Sequence, residues 1–178
     1  MMCHPDFNSA NFQNDIGVVR LSTAVTLSSK LVPACLANSL SENHEDAMLQ
    51  TRLLHVGDVF QRSSYDYIGT KDECDKLIKE PHLLKPGQAC LINPSSEMNK
   101  FNGSIVQMVD SRTCRFTVTG IGSTAIENPD ISSAHRVGIV HRIDHYLDWI
   151  EKIVWEKSFH CAMGRPLVAT SLFRVRCV

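Results

Sequence analysis

The chain has 178 residues, 43% hydrophobic and 21% charged, with a formal net charge of −1. That length suits one domain with a sizeable core and is short for two. The balanced charge supplies no basic field for nucleic acid and no like-charge tail, and no apolar run approaches the ~20 residues that span a bilayer.

The opening stretch, MMCHPDFNSANF (1–12), has neither a basic start nor an apolar core, so it is not a signal peptide. NDIGVVRL (14–21) follows, with Asp15 directly ahead of the apolar run Ile16-Gly17-Val18-Val19. A carboxylate at the mouth of a buried strand is costly unless donors reach it. Runs rich in β-branched residues or alternating in polarity predict strands at VVRL (18–21), LLHVGDVF (53–60), SIVQMV (104–109), CRFTVTGI (114–121) and RVGIVHRI (136–143). Polar or Pro-containing stretches separate them, such as ANSLSENHED (37–46) and ENPDISS (127–133). KDECDKLIKE (71–80) fits a short helix.

A longer helix is predicted from Asp144, its cap, to about Lys157. Tyr146, Leu147, Ile150, Ile153 and Val154 fall on one face, with Asp148, Glu151 and Lys152 opposite. Many short strands and one C-terminal helix indicate an all-β barrel or sandwich.

There are seven cysteines, none in a CxxC pair, which leans towards an oxidising compartment and leaves at least one thiol free or paired outside the chain. His141 and His145 are four apart, but they straddle a strand end and a helix cap, without the glutamate of an HExxH site. No metal and no cofactor are expected. Trp149 and Trp155 read as helix packing.

Three stretches, in order, resemble the trypsin-like (chymotrypsin-fold, S1) serine proteases, especially the secreted insect proteases that carry clip domains. HPDFNSANFQNDIGVVRLSTAVTLSSKLVPACL (4–36) is similar to the family's "HPxF…NDIALLRL…V…PICL" segment. FTVTGIGS (116–123) is similar to its "GIvSfG" strand, and RVGIVHRIDHYLDWIEKIVW (136–155) to its "GVYTRVxxYLDWI" ending. The resemblance implies the C-terminal two-thirds of such a domain.

On that resemblance Asp15 takes the position of the triad aspartate, which orients the catalytic imidazole. The imidazole itself belongs to an "AAHC" segment that would fall before Met1, and His4 matches only the structural "HP" turn. No GDSG or GxSxG serine occurs. KFNGSIVQ (100–107), set against "GDSGGPLQ", puts Asn102 at the nucleophile position and Phe101 at the preceding aspartate. A rival placement built on Cys90 puts Pro94 there. Asn102 lies 21 residues before Ser123 and Pro94 lies 29 before it, and the shorter spacing is nearer the family's.

The same alignment implies a disulfide between Cys74 and Cys90, a degraded substrate pocket at Ser123, Ala125 and Val140, and a tether from Cys35 to an absent N-terminal region. The pairing of Cys3, Cys114, Cys161 and Cys177 stays open. Asn102-Gly103-Ser104 is also an N-glycosylation sequon, used or unused.

The expected architecture is all-β, the second barrel of a chymotrypsin-like double barrel. Residues 1–37 would close the first barrel and cross over, 38–156 would form the second barrel plus helix, and 157–178 an extension of unknown structure. The expected function is that of a truncated, catalytically inactive homologue, secreted and acting by protein binding in an extracellular proteolytic cascade. Its partners would be other secreted proteases or their substrates, with no nucleic acid and no membrane. The alternatives are a fragment or mis-assembled form of an active secreted trypsin-like endopeptidase, and a secreted all-β binding module with no enzymatic ancestry.

Overall fold

The computed structural model describes residues 1–29, 31–39, 48–52, 65–78, 84–93, 103–110, 115–126 and 136–155. Near the N-terminus β1 (Met2–Cys3) and β2 (Gly17–Val18) pair antiparallel and bracket the turn that carries Asp15. The strand expected at 18–21 is confined to Gly17–Val18, because β1 offers only two residues to pair with. The next short strand, β3 (Cys35–Leu36), runs parallel to Thr117–Val118 of a long later strand, β8 (Arg115–Ile126).

The main body is a closed ring. β4 (Met48–Arg52), β5 (Tyr65–Ile68), β6 (Gln88–Asn93), β7 (Ile105–Asp110) and β9 (Arg136–Arg142) join β8 in the order β8-β7-β4-β5-β6-β9, and β9 pairs back onto β8. Every pairing in the ring is antiparallel. Closure removes the exposed edges that an open sheet would leave.

Leu91 of β6, Val106 of β7 and Val140 of β9 form one buried cluster, joined by Ile68, Met108 and Ala125. β7 pairs with neither β6 nor β9, so these side chains meet across the interior of the ring. The next residues along, Cys90, Ile92, Val137 and Ile139, point the other way and pack beneath α1 (Lys71–Ile78). Burial on both faces is why QACLIN at β6 gave no alternating signal.

α1 opens with reciprocal capping. Glu73 Oε2 accepts from Thr70 N–H at 2.8 Å, and Thr70 Oγ1 accepts from Glu73 N–H at 3.3 Å. α2 (Ile143–Trp155) packs Ile143, Tyr146 and Ile150 against Ile16 and Val118. It starts one residue before the expected cap. Strand β9 runs straight into it, and the Asp144 carboxylate is held by Arg142 at 2.7 and 3.1 Å in the first turn. The strand expected at 53–60, the end of the helix at 156–157 and the extension 157–178 lie outside the described residues.

Candidate active site

The segment 8–16 is a chain of tight turns that has one outcome, the inward aim of Asp15. Asn8 and Asn11 side chains accept from Ala10 N–H and Gln13 N–H at 2.9 and 3.0 Å, two Asx-type turns in succession. Phe12 and Asn14 are left-handed, with φ of 53° and 57°. Asn tolerates that region, and here it is braced from both ends. Its Nδ2 donates to Asp6 O at 2.9 Å, and its Oδ1 accepts from Tyr146 Oη–H at 3.0 Å. Ile16 N–H then donates to Asn14 O at 2.8 Å, a γ-turn centred on Asp15.

Asp15 is 8% exposed. Its Oδ2 accepts from Ser123 Oγ at 2.9 Å, 108 residues away in sequence. Ser123 reaches it because of a bulge. Gly122 pairs with Val140 and Thr124 with Ile139, which leaves Ser123 with no partner across the β8–β9 ladder. The extra residue turns the side chain off the ladder and towards the turns at 8–16. On the far side of Ser123, Gly122 O accepts from Gly103 N–H at 2.6 Å and Gly122 N–H donates to Ser104 O at 2.8 Å. Gly103 is left-handed, with φ of 71°.

Behind Asp15 lies a histidine that motif reading assigned no role. His141 has no exposed surface, and its Nε2 accepts from Asp15 N–H at 3.3 Å. Gln88 Nε2 stands 3.4 Å from the same atom and donates to Phe12 O at 3.3 Å. The Gln88 side-chain oxygen is taken by Lys85 N–H at 2.9 Å, so its amide end faces the site. Burial lowers the His141 pKa to about 4, against the opposing pull of the Asp15 charge and the Phe12 carbonyl. The signal was present in the sequence as a lone imidazole inside the apolar run VGIV-H-RI.

Tyr146 closes the site from α2. It is 2% exposed, and burial together with the Asp15 charge pushes its pKa up to about 12. His4, His141 and His145 surround it, with ring centroids 5.6, 5.8 and 4.9 Å away. His4 also stacks obliquely on Trp149 at 4.9 Å, and burial lowers its pKa. Its Nδ1 accepts from Asp6 N–H at 3.2 Å, so His4 serves the turn and not the Asp15 carboxylate.

The sequence-derived candidates therefore fall in three places. Asp15 and Ser123 meet directly. Ala125 and Val140 face the barrel interior, where Val140 packs with Leu91 and Val106. Cys74 and Cys90 are joined by a disulfide that ties α1 to β6, and both are fully buried. Cys35 is an exposed free thiol, while Cys3 is disulfide-bonded. Asn102, Phe101 and Pro94 lie outside the described residues, as do Cys114, Cys161 and Cys177. Among the described residues no group of three His, Cys, Asp or Glu side chains is arranged to hold a metal ion.

A closed six-stranded antiparallel barrel, a run of turns at 8–16 that delivers a buried aspartate to a bulged serine, and a helix, α2, over that junction define a chymotrypsin-like β-barrel. The family model described as Trypsin matches residues 1–150, and the chain belongs to that family. It is also 46% identical to vitamin K-dependent protein C of Rattus norvegicus over 39 residues, a stretch that covers 22% of this chain and 8% of that protein. Membership in a protease family sets aside the reading of a binding module without enzymatic ancestry.

Proposed function

We propose that this chain is a catalytically inactive trypsin-family homologue that acts by protein binding in an extracellular proteolytic cascade. One observation carries the reading. The chain contains no GDSG or GxSxG serine, and KFNGSIVQ (100–107), aligned with the family's GDSGGPLQ, has Asn102 opposite the nucleophile. A carboxamide has no hydroxyl for a neighbouring base to activate, so no acyl-enzyme forms there. Asp15 is then the surviving third of a triad, held by Ser123 and by His141 but contacting no imidazole through its carboxylate among the described residues.

The insect clip-domain type is the subclass that the HPxF, NDI and PxCL segments support. Secretion is supported by the cysteine usage and by the bridge between Cys74 and Cys90. The exposed Cys35 suits a tether to an upstream segment, and secreted proteases or their substrates suit the binding role.

The test is a fluorophosphonate probe with trypsin as the positive control, followed by assays on arginyl, lysyl and aromatic peptide amides. The expected result is no labelling and no hydrolysis above background. A probe adduct that maps to any serine of this chain overturns the proposal. The second reading is a fragment or mis-assembled form of an active secreted endopeptidase, and the intact Asp15–Ser123 geometry favours it. Full-length transcript sequencing separates the two, because only that reading requires an upstream AAHC segment and a restored GDSGG.

A further inference from the structure

His141 is buried and contacts the Asp15 main chain. Two N–H groups aim at its Nε2, the Asp15 amide at 3.3 Å and the Gln88 carboxamide at 3.4 Å. An atom that receives both must offer a lone pair, so the ring proton belongs on Nδ1. Nδ1 is buried and has no hydrogen-bond partner among the described residues. The ring therefore gives up one hydrogen bond in order to hold the Asp15 amide.

Protonation reverses this arrangement. A hydrogen on Nε2 faces the Asp15 N–H as donor against donor, and that contact is lost. The Phe12 carbonyl, which already favours the charged ring, is the acceptor within the same turn. Phe12 and Asp15 are three residues apart in a segment whose left-handed Phe12 is held by Gln88. The two protonation states of one ring thus favour two different positions of one short segment.

We propose that His141 is an acid-operated latch on residues 12–15, holding the Asp15 main chain when neutral and releasing it towards the Phe12 carbonyl when charged, so that the aspartate shifts relative to Ser123. The latch would operate in an active protease and in an inactive homologue alike.

The titratable groups around the ring are few. The turns at 8–16 contribute the Asp15 carboxylate, which favours protonation, while His4 from the N-terminal turn and His145 from α2 oppose it as cations. Tyr146 from α2 stays neutral through the acid range, and Arg142 and Asp144, next along the chain, neutralise each other. Gln88 from β6 and Ser123 from β8 carry no charge. Burial places the transition near the ring's pKa of about 4.

The experiment is NMR on the full chain, with multiple-bond ¹H–¹⁵N spectra of the histidine rings and amide exchange followed from about pH 7 to about pH 2.5, low enough to include a midpoint displaced below about 4. At neutral pH the His141 ring is expected as the Nδ1–H tautomer. On acidification the Asp15 amide loses protection by roughly tenfold or more, in step with ring protonation, while the Val118 and Ile139 amides keep theirs. Asp15→Asn retains the transition, displaced to lower pH, and His141→Gln abolishes it.

An Nε2–H tautomer at neutral pH overturns the proposal, as does an Asp15 amide whose protection ignores pH. A transition that disappears in Asp15→Asn overturns it too, because the carboxyl would then be the titrating group. So does simultaneous loss of protection at Val118, which would be global unfolding. The tautomer and the Asp15→Asn arm need no ring variant, so the test stands if His141→Gln does not fold.

Discussion

Ser123 Oγ donates to Asp15 Oδ2 at 2.9 Å across a junction that joins two distant parts of the chain, and both residues are buried. The bond rests on two local irregularities, a γ-turn that aims the acid and a β-bulge that aims the hydroxyl. Removing the hydroxyl leaves a buried carboxylate short of a donor. Ser123→Ala is expected to cost about 2 kcal/mol, in the range for hydrogen bonds to charged groups. In an Asp15→Asn background the same change should cost about half as much, and a double-mutant cycle by urea unfolding measures the difference.

The bridge between Cys74 and Cys90 spans 16 positions and ties the first turn of α1 to β6. In the chain-entropy account a loop of that size contributes about 3 kcal/mol. The double substitution Cys74→Ala/Cys90→Ala should lower stability by about that amount, read from the denaturant midpoint with and without reductant. The single exposed thiol among the described residues, Cys35, should react with a maleimide in the native state without changing that midpoint.

The pH dependence follows from the His141 ring. Its pKa is about 4 in the folded chain and about 6.5 once unfolded. Between those values the unfolded chain binds a proton that the folded chain refuses, so stability falls as pH drops through the window and levels off below it. The whole contribution is on the order of 3 kcal/mol. Comparing the wild type with His141→Gln in urea at several pH values isolates it together with its coupling to Asp15, since carboxylates remote from the ring act on both chains alike. The wild type should show the steeper slope between about pH 6.5 and about pH 4.

Gly87 precedes β6 with φ of 79°, and a Cβ there would lie 2.3 Å from His145 Cδ2. Gly87→Ala therefore combines a left-handed backbone penalty of about 1–2 kcal/mol with a steric clash. His145 is exposed and can swing away. In a His145→Ala background the clash disappears and the backbone part remains, so thermal unfolding should show partial and not complete relief.

The family and the architecture were legible without coordinates because they rest on local features. The HPxF, NDI and YLDWI segments are contiguous, and the alternation of strand residues and the apolar face of α2 depend only on neighbours in sequence. The placement of Asp15 was equally readable, since a carboxylate at the head of an apolar run must have a donor. Strand β6 was missed for a physical reason. Cys90 and Ile92 pack under α1 while Leu91 packs inside the ring, so burial on both faces erases the period of two.

Sequence by itself determined the fold class, the need of Asp15 for a hydrogen-bond donor and the absence of a GDSG serine, because each is carried by residue identity or short-range order. Only the tertiary structure decided what Asp15 touches. Ser123 reaches it through a one-residue bulge, and His141 reaches it from 126 positions away through closure of the ring. Such contacts depend on how strands register and twist, and no window along the chain contains both partners.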